Sequence, residues 1–160
     1  MTAAANHSVP TGAGFDILLL LHVAAVVVGL LAVAASGVMA LRLQGAKGGD
    51  LPPSVAAYFA PGTNWPGRAV HAVPVLGLLL VWASHGAYDF GQSWVQWGLG
   101  LWVVAAGLCE GLLFPSERRV QGALADAGEG LAAAGRTVTW SAAAVVAVLV
   151  AASAVMVVKP

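Results

Sequence analysis

The chain has 160 residues, 59% hydrophobic and 9% charged, whereas ordinary soluble domains carry about 25% charged residues. That composition excludes a soluble globular domain, and it excludes disorder, which needs low hydrophobicity and high net charge. Seven basic and seven acidic residues cancel, leaving no field to recruit nucleic acid, and the one cysteine, Cys109, allows neither an intramolecular disulfide nor a thiolate metal cluster.

Residues 1–14 hold no Lys or Arg and read as a loose tail with a solvated His7. The apolar run 15–43 is too long for the ~7–15-residue core of a secretory signal and long enough for a first transmembrane helix. Its interior ionisable group is His22. On the same side Ala25, Gly29, Ala32 and Ser36 recur at steps of three and four, a small-residue seam of the kind that lets a neighbouring helix approach closely. Residues 44–68 form a connector. Within it PSVAAYF predicts a two-turn interfacial helix with Tyr58 and Phe59 at the membrane surface, and Trp65 fits the interfacial aromatic belt.

The second helix is expected at about residues 70–88, with Pro74 tolerated near its first turn. It carries two histidines: His71 and His85 lie fourteen residues apart, within about 40° on one helix face and about 21 Å along its axis. A third helix is expected at about residues 94–114, with a Gly107-xxx-Gly111 step and Glu110 near its end. Pro115 and Ser116 predict a stop, followed by a short surface helix, SERRVQGALADA. The last helix, at about residues 138–158, is built largely of Ala and Val and ends at Lys159. The expected fold is all-α: one transmembrane domain, a four-helix bundle with short interfacial helices in two long connectors.

Those connectors hold Arg42, Lys47, Arg68, Arg118, Arg119 and Arg136, against Lys159 alone on the opposite side. The excess of basic residues places the connectors in the cytoplasm and both termini outside. Alternating helix direction then sorts the polar residues into two levels. At the outer level lie His22, His85, Asp16 and Asp89. At the inner, membrane-edge level lie His71, Glu110, Arg118 and Arg119, with a dry middle that offers no relay for ions or protons.

Two function classes follow. The first is a non-enzymatic membrane subunit that packs through its small-residue seams against the lipid bilayer and larger membrane partners or a second copy of itself, such as an accessory subunit of a respiratory or redox complex. The second is a single b-type haem protein for electron transfer or porphyrin handling, with His22 and His85 as axial ligands and Asp89 fixing a ring tautomer from the second shell. A permease using Glu110 or His71 ranks below both. Copper ligation finds only scattered Met39 and Met156, and no nucleophilic triad or phosphate-binding glycine loop occurs.

The segment LLHVAAVVVGLLAVAASGVMALRL resembles the first helix of copper-resistance D-like proteins and four-helix protoporphyrinogen oxidases, with His22, Gly29, Arg42 and Leu43 matching their pattern. YFAPGTNWPGRAVHAVPVLG and LWVVAAGLCEGLLFPSERRVQ are similar to a set of bacterial four-helix integral-membrane proteins of unknown function. The resemblance implies a multi-pass protein of the bacterial inner membrane, and in the oxidase branch it implies a haem- or porphyrin-handling role for His22. The Val-Val-Val-Gly-Leu run after His22 departs from the oxidase texture, and the enzyme activity is not carried over.

Overall fold

A chain crossing lipid must satisfy every backbone N–H and C=O within itself, and long apolar runs do so as helices. The computed structural model describes residues 12–46, 51–125 and 130–159; His7 and Lys47 lie outside these ranges. Among the described residues there are five helical stretches: α1 (Ala13–Gly45), α2 (Pro53–Tyr58), α3 (Trp65–Ala83), α4 (Ser93–Ala125) and α5 (Leu131–Val158). All but α2 are long and apolar enough to cross a membrane. Large apolar side chains such as Leu20, Leu31, Val103 and Val157 point outward, where lipid rather than water accommodates them. This is a multi-pass membrane protein with an all-α four-helix bundle.

The main packing runs from α3 to α1, from α1 to α5 and from α5 to α4. The small-residue seam of α1 makes the first of these joins. Gly29 and Ser36 are buried, and a methyl at Gly29 would sit 3.1 Å from the Val70 amide nitrogen. On another side of α1, Gly37 meets Ala142 of α5, and Gly135 of α5 meets Leu43. The core follows these contacts through Val33, Ala40, Val70, Ala105, Val138 and Val145. α2 is held by Val55 and Phe59, both buried. Phe59 belongs to the core cluster rather than lying on the protein's surface.

Two helices run past their expected boundaries. α3 starts at Trp65, five residues before the expected start, because Asn64 caps it by accepting from the Gly67 N–H at 3.1 Å, with Pro66 in the first turn. Pro74 therefore lies mid-helix. It cannot donate to the carbonyl of Val70, four residues back, and the helix narrows to a 3₁₀ turn at Ala69–His71. The indole Nε1–H of Trp102 on α4 donates to that freed carbonyl at 2.9 Å. α3 ends at Ala83, where Ser84 Oγ accepts from the Tyr88 N–H and His85 and Gly86 take positive φ.

In α4, Pro115 does not stop the helix. The chain widens into a π turn at Cys109–Leu113, with the Phe114 N–H reaching back to the Cys109 carbonyl. A wider turn relieves the clash between a proline ring and the preceding carbonyls. The helix continues to Ala125, so the expected separate surface helix is the inward-packed end of α4. α5 begins at Leu131, after Gly130 in the left-handed conformation.

Trp102→Phe removes the donor to Val70 and should lower stability by about 1 kcal/mol, read by thermal unfolding in mild detergent. In a Pro74→Ala background position 74 regains an N–H for the Val70 carbonyl, and the same change should cost close to nothing. An equal loss in both backgrounds contradicts this assignment.

Candidate functional site

The arginine-rich end of the bundle carries two carboxylates in opposite settings. Glu117 on α4 is buried, 5% exposed. Its Oε1 accepts from the Ser36 hydroxyl of α1 at 2.5 Å and from Asn64 Nδ2 at 3.2 Å. Tyr58, at the end of α2, completes the group with its hydroxyl 2.7 Å from Ser36 Oγ. Burial pushes the Tyr58 phenol above its ordinary pKa, and the Glu117 charge adds in the same direction, so Tyr58 enters the network as a neutral O–H. One buried carboxylate thus ties α1, α2, the α3 cap and α4 together, with donors supplied as a buried acceptor requires.

Glu110 lies at the edge, half exposed. It accepts from His71 Nε2 at 3.0 Å and faces Arg68 Nη1 at 3.5 Å. The Arg68 guanidinium lies over the Phe114 ring at 5.0 Å, and His71 meets the same ring edge-on. The expected juxtaposition of His71 and Glu110 therefore forms, with Arg68 rather than Arg118 or Arg119 as the ion-pair partner. Arg118 and Arg119 are both exposed. With Trp102, these contacts bridge α3 and α4.

At the far end the expected outer group does not assemble as a ligand set. His22 packs against α3 with its Cε1 3.3 Å from the Cβ position of Gly77, and its Nδ1 is buried without a hydrogen-bond partner. His85 is exposed in the turn beyond α3, at φ 50°. α1 and α3 are antiparallel, with Gly29 opposite Val70 and His22 opposite Gly77. From Gly77 to the helix end at Ala83 the axis advances about 9 Å, and His85 lies beyond that end. A bis-imidazole haem needs both rings on one iron, whereas His22 packs on Gly77 within the bundle and His85 is exposed in the turn. Because α3 ends at Ala83, the four-residue step from His85 to Asp89 no longer defines one helix face. Asp89 Oδ1 instead accepts from the Gly91 N–H at 2.6 Å. What closes this end is aromatic: the Lys159 ammonium lies 4.6 Å from the Tyr88 ring centroid and 5.1 Å from that of Trp94, with Phe15 packed on Tyr88.

A second feature lies on the outer face of α4. Gly100, Gly107 and Gly111 are exposed, and a Cβ at any of them would meet nothing within 4 Å. At ~100° per residue they fall within about 40° of one another. They lie on the side away from Val95, Gly98, Ala105 and Cys109, the buried positions of the same helix. Gly29, Gly37, Gly77, Gly98 and Gly135, by contrast, each have a neighbour in that space; at Gly98 it is the Met156 side chain.

Glu117, Asn64 and Tyr58 are the site residues that sequence reading missed. The readable signal was Asn64-Trp65-Pro66, an asparagine cap followed by a proline in the first turn, which moves the start of α3 and brings Asn64 to the bundle. No protein family, curated protein or solved structure matches this chain. Function is therefore argued from its own side chains.

Glu117→Ala leaves the Ser36 and Asn64 donors without their acceptor and should cost about 1–3 kcal/mol. Glu110→Ala, at the exposed edge, should cost no more than about 1 kcal/mol. Unfolding of both variants in the same detergent checks the order; a larger loss for Glu110→Ala contradicts it.

Proposed function

We propose that this protein is a non-enzymatic packing subunit of the bacterial inner membrane. It docks a helix of another membrane chain on the outer face of α4, with its arginine-rich end in the cytoplasm and both termini outside. The observation that carries this reading is the open glycine face, Gly100, Gly107 and Gly111. Helical glycine costs about 1 kcal/mol relative to alanine in water. Gly29, Gly37, Gly77, Gly98 and Gly135 are each matched by a close neighbour, and here no neighbour is supplied from the described residues. In lipid, where apolar side chains gain nothing by leaving the hydrocarbon, close backbone approach across small residues drives helix association. A face lined by three glycines and flanked by Val103 and Val104 suits that approach.

Gly107→Leu and Gly100→Leu fill open space in the isolated chain, so each should change its stability by no more than about 0.5 kcal/mol. Each should also abolish recovery of the partner chain when the protein is extracted in mild detergent. Gly29→Leu, which meets the Val70 backbone, should instead destabilise the bundle itself. A wild-type protein that migrates alone, or a Gly107→Leu variant that keeps its partner, overturns the reading.

A further inference from the structure

Two adjoining clefts open at the arginine-rich end. The larger, about 130 Å³, lies between the loop that follows α2 and the last turns of α4, lined by Tyr58, Asn64, Glu117 and Gln121 among others. The smaller, about 40 Å³, shares Asn64, Glu117 and Gln121 with it and adds Arg68 and Arg118. Together they form one notch lined by Glu117, Arg68 and Arg118. Its rim is fixed by Gln121, whose Nε2 donates to the Gly62 carbonyl at 3.2 Å.

The hydrogen-bond inventory of the notch is unequal. Glu117 Oε1 is saturated by Ser36 and Asn64, whereas Oε2 accepts nothing from the described residues. A carboxylate oxygen with no donor, on a residue that lines a cleft, is a place for an N–H or O–H from outside the chain. Arg68 reaches Glu110 only with Nη1, at 3.5 Å, and Arg118 forms no ion pair among the described residues. A guanidinium has five N–H donors in a fork that fits phosphate oxygens. Trp65, 73% exposed and next to Asn64 in the chain, is the residue type that sits at headgroup level in a bilayer.

We propose that this notch binds the zwitterionic phosphoethanolamine headgroup of a phospholipid, with the primary ammonium on Glu117 Oε2 and the phosphate between Arg68 and Arg118. The site is independent of the glycine face on α4. A primary ammonium has three N–H donors for the free oxygen. A choline headgroup has none and carries three methyls in their place. A glycerol headgroup brings no cation to Glu117, so the buried carboxylate would keep its charge unpaired. The bilayer itself supplies the ligand at the level where the notch opens.

The test uses the full chain purified in mild detergent, with its unfolding midpoint followed while dihexanoyl phosphatidylethanolamine, phosphatidylcholine or phosphatidylglycerol is added. Phosphatidylethanolamine should raise the midpoint saturably, with an apparent affinity about tenfold or more above the other two, as expected for a charge-assisted hydrogen bond. Glu117→Gln keeps an oxygen acceptor for Ser36 and Asn64 and should erase the preference for ethanolamine over choline. Arg118→Gln, at an exposed position outside the buried network, should weaken phosphatidylethanolamine by about tenfold, which keeps the test decisive if Glu117→Gln fails to fold. Equal responses to the three lipids overturn the proposal, as does an ethanolamine preference that survives Glu117→Gln or a phosphatidylethanolamine affinity unchanged by Arg118→Gln. Free phosphoethanolamine stabilising the protein as strongly as the lipid would assign the notch to a soluble zwitterion and overturn the lipid as its source.

Discussion

The Ser36–Glu117 hydrogen bond holds the arginine-rich end of this bundle in one arrangement. It joins the seam of α1 to the last turns of α4, and through Tyr58 and Asn64 it includes α2 and the cap of α3. In a lipid environment packing supplies little of the hydrophobic drive that closes a soluble core, so a satisfied buried polar contact has unusual weight in fixing how helices sit. It also sets the rotation of α4. With Glu117 turned inward, and with Ala105 and Cys109 on the buried seam, Gly100, Gly107 and Gly111 face out. The inner network and the outer face are two consequences of one helix orientation.

That orientation depends on how two prolines are accommodated. Pro74 frees the Val70 carbonyl, and Trp102 from α4 takes it up. Pro115 is absorbed by the π turn at Cys109–Leu113, which carries the helix on to Glu117. Without that wider turn, a proline at this point would end α4 near the membrane edge and leave Glu117 on a surface segment. Glu110 sits in the π turn itself, where it faces His71 and Arg68 of α3. The widened turn thus serves both carboxylates.

Much of the architecture was legible in the sequence because it rests on hydrophobic run length and on spacing within a helix. The four spans, the short α2 helix and the buried face of α1 through Gly29 and Ser36 all follow from those signals. The helix ends did not: Pro115 reads as a stop where a π turn lets the chain pass, and the Asn64 cap that starts α3 five residues early carries no apolar periodicity. Glu117 was hidden for the same reason: it followed an expected break and read as solvated. The pairing of His22 with His85 assumed that α3 continued to residue 88. The Ser84 turn ends it at Ala83 and leaves His85 in a left-handed, exposed position. Side-chain networks that join residues 36, 58, 64 and 117 carry no local periodicity, so a spacing argument could not find them.

If the outer face of α4 is an interface with another chain, cysteines on that face will cross-link to it. Single cysteines placed along α4 in native membranes, in a Cys109→Ser background and joined by a short thiol cross-linker, test it most directly. Gly100→Cys, Gly107→Cys and Gly111→Cys should each give an adduct to a second chain. Ala105→Cys, at a position fully buried within the bundle, should give none. Silence at all three glycine positions in membranes where the protein is folded, or adducts independent of helix face, would contradict the account.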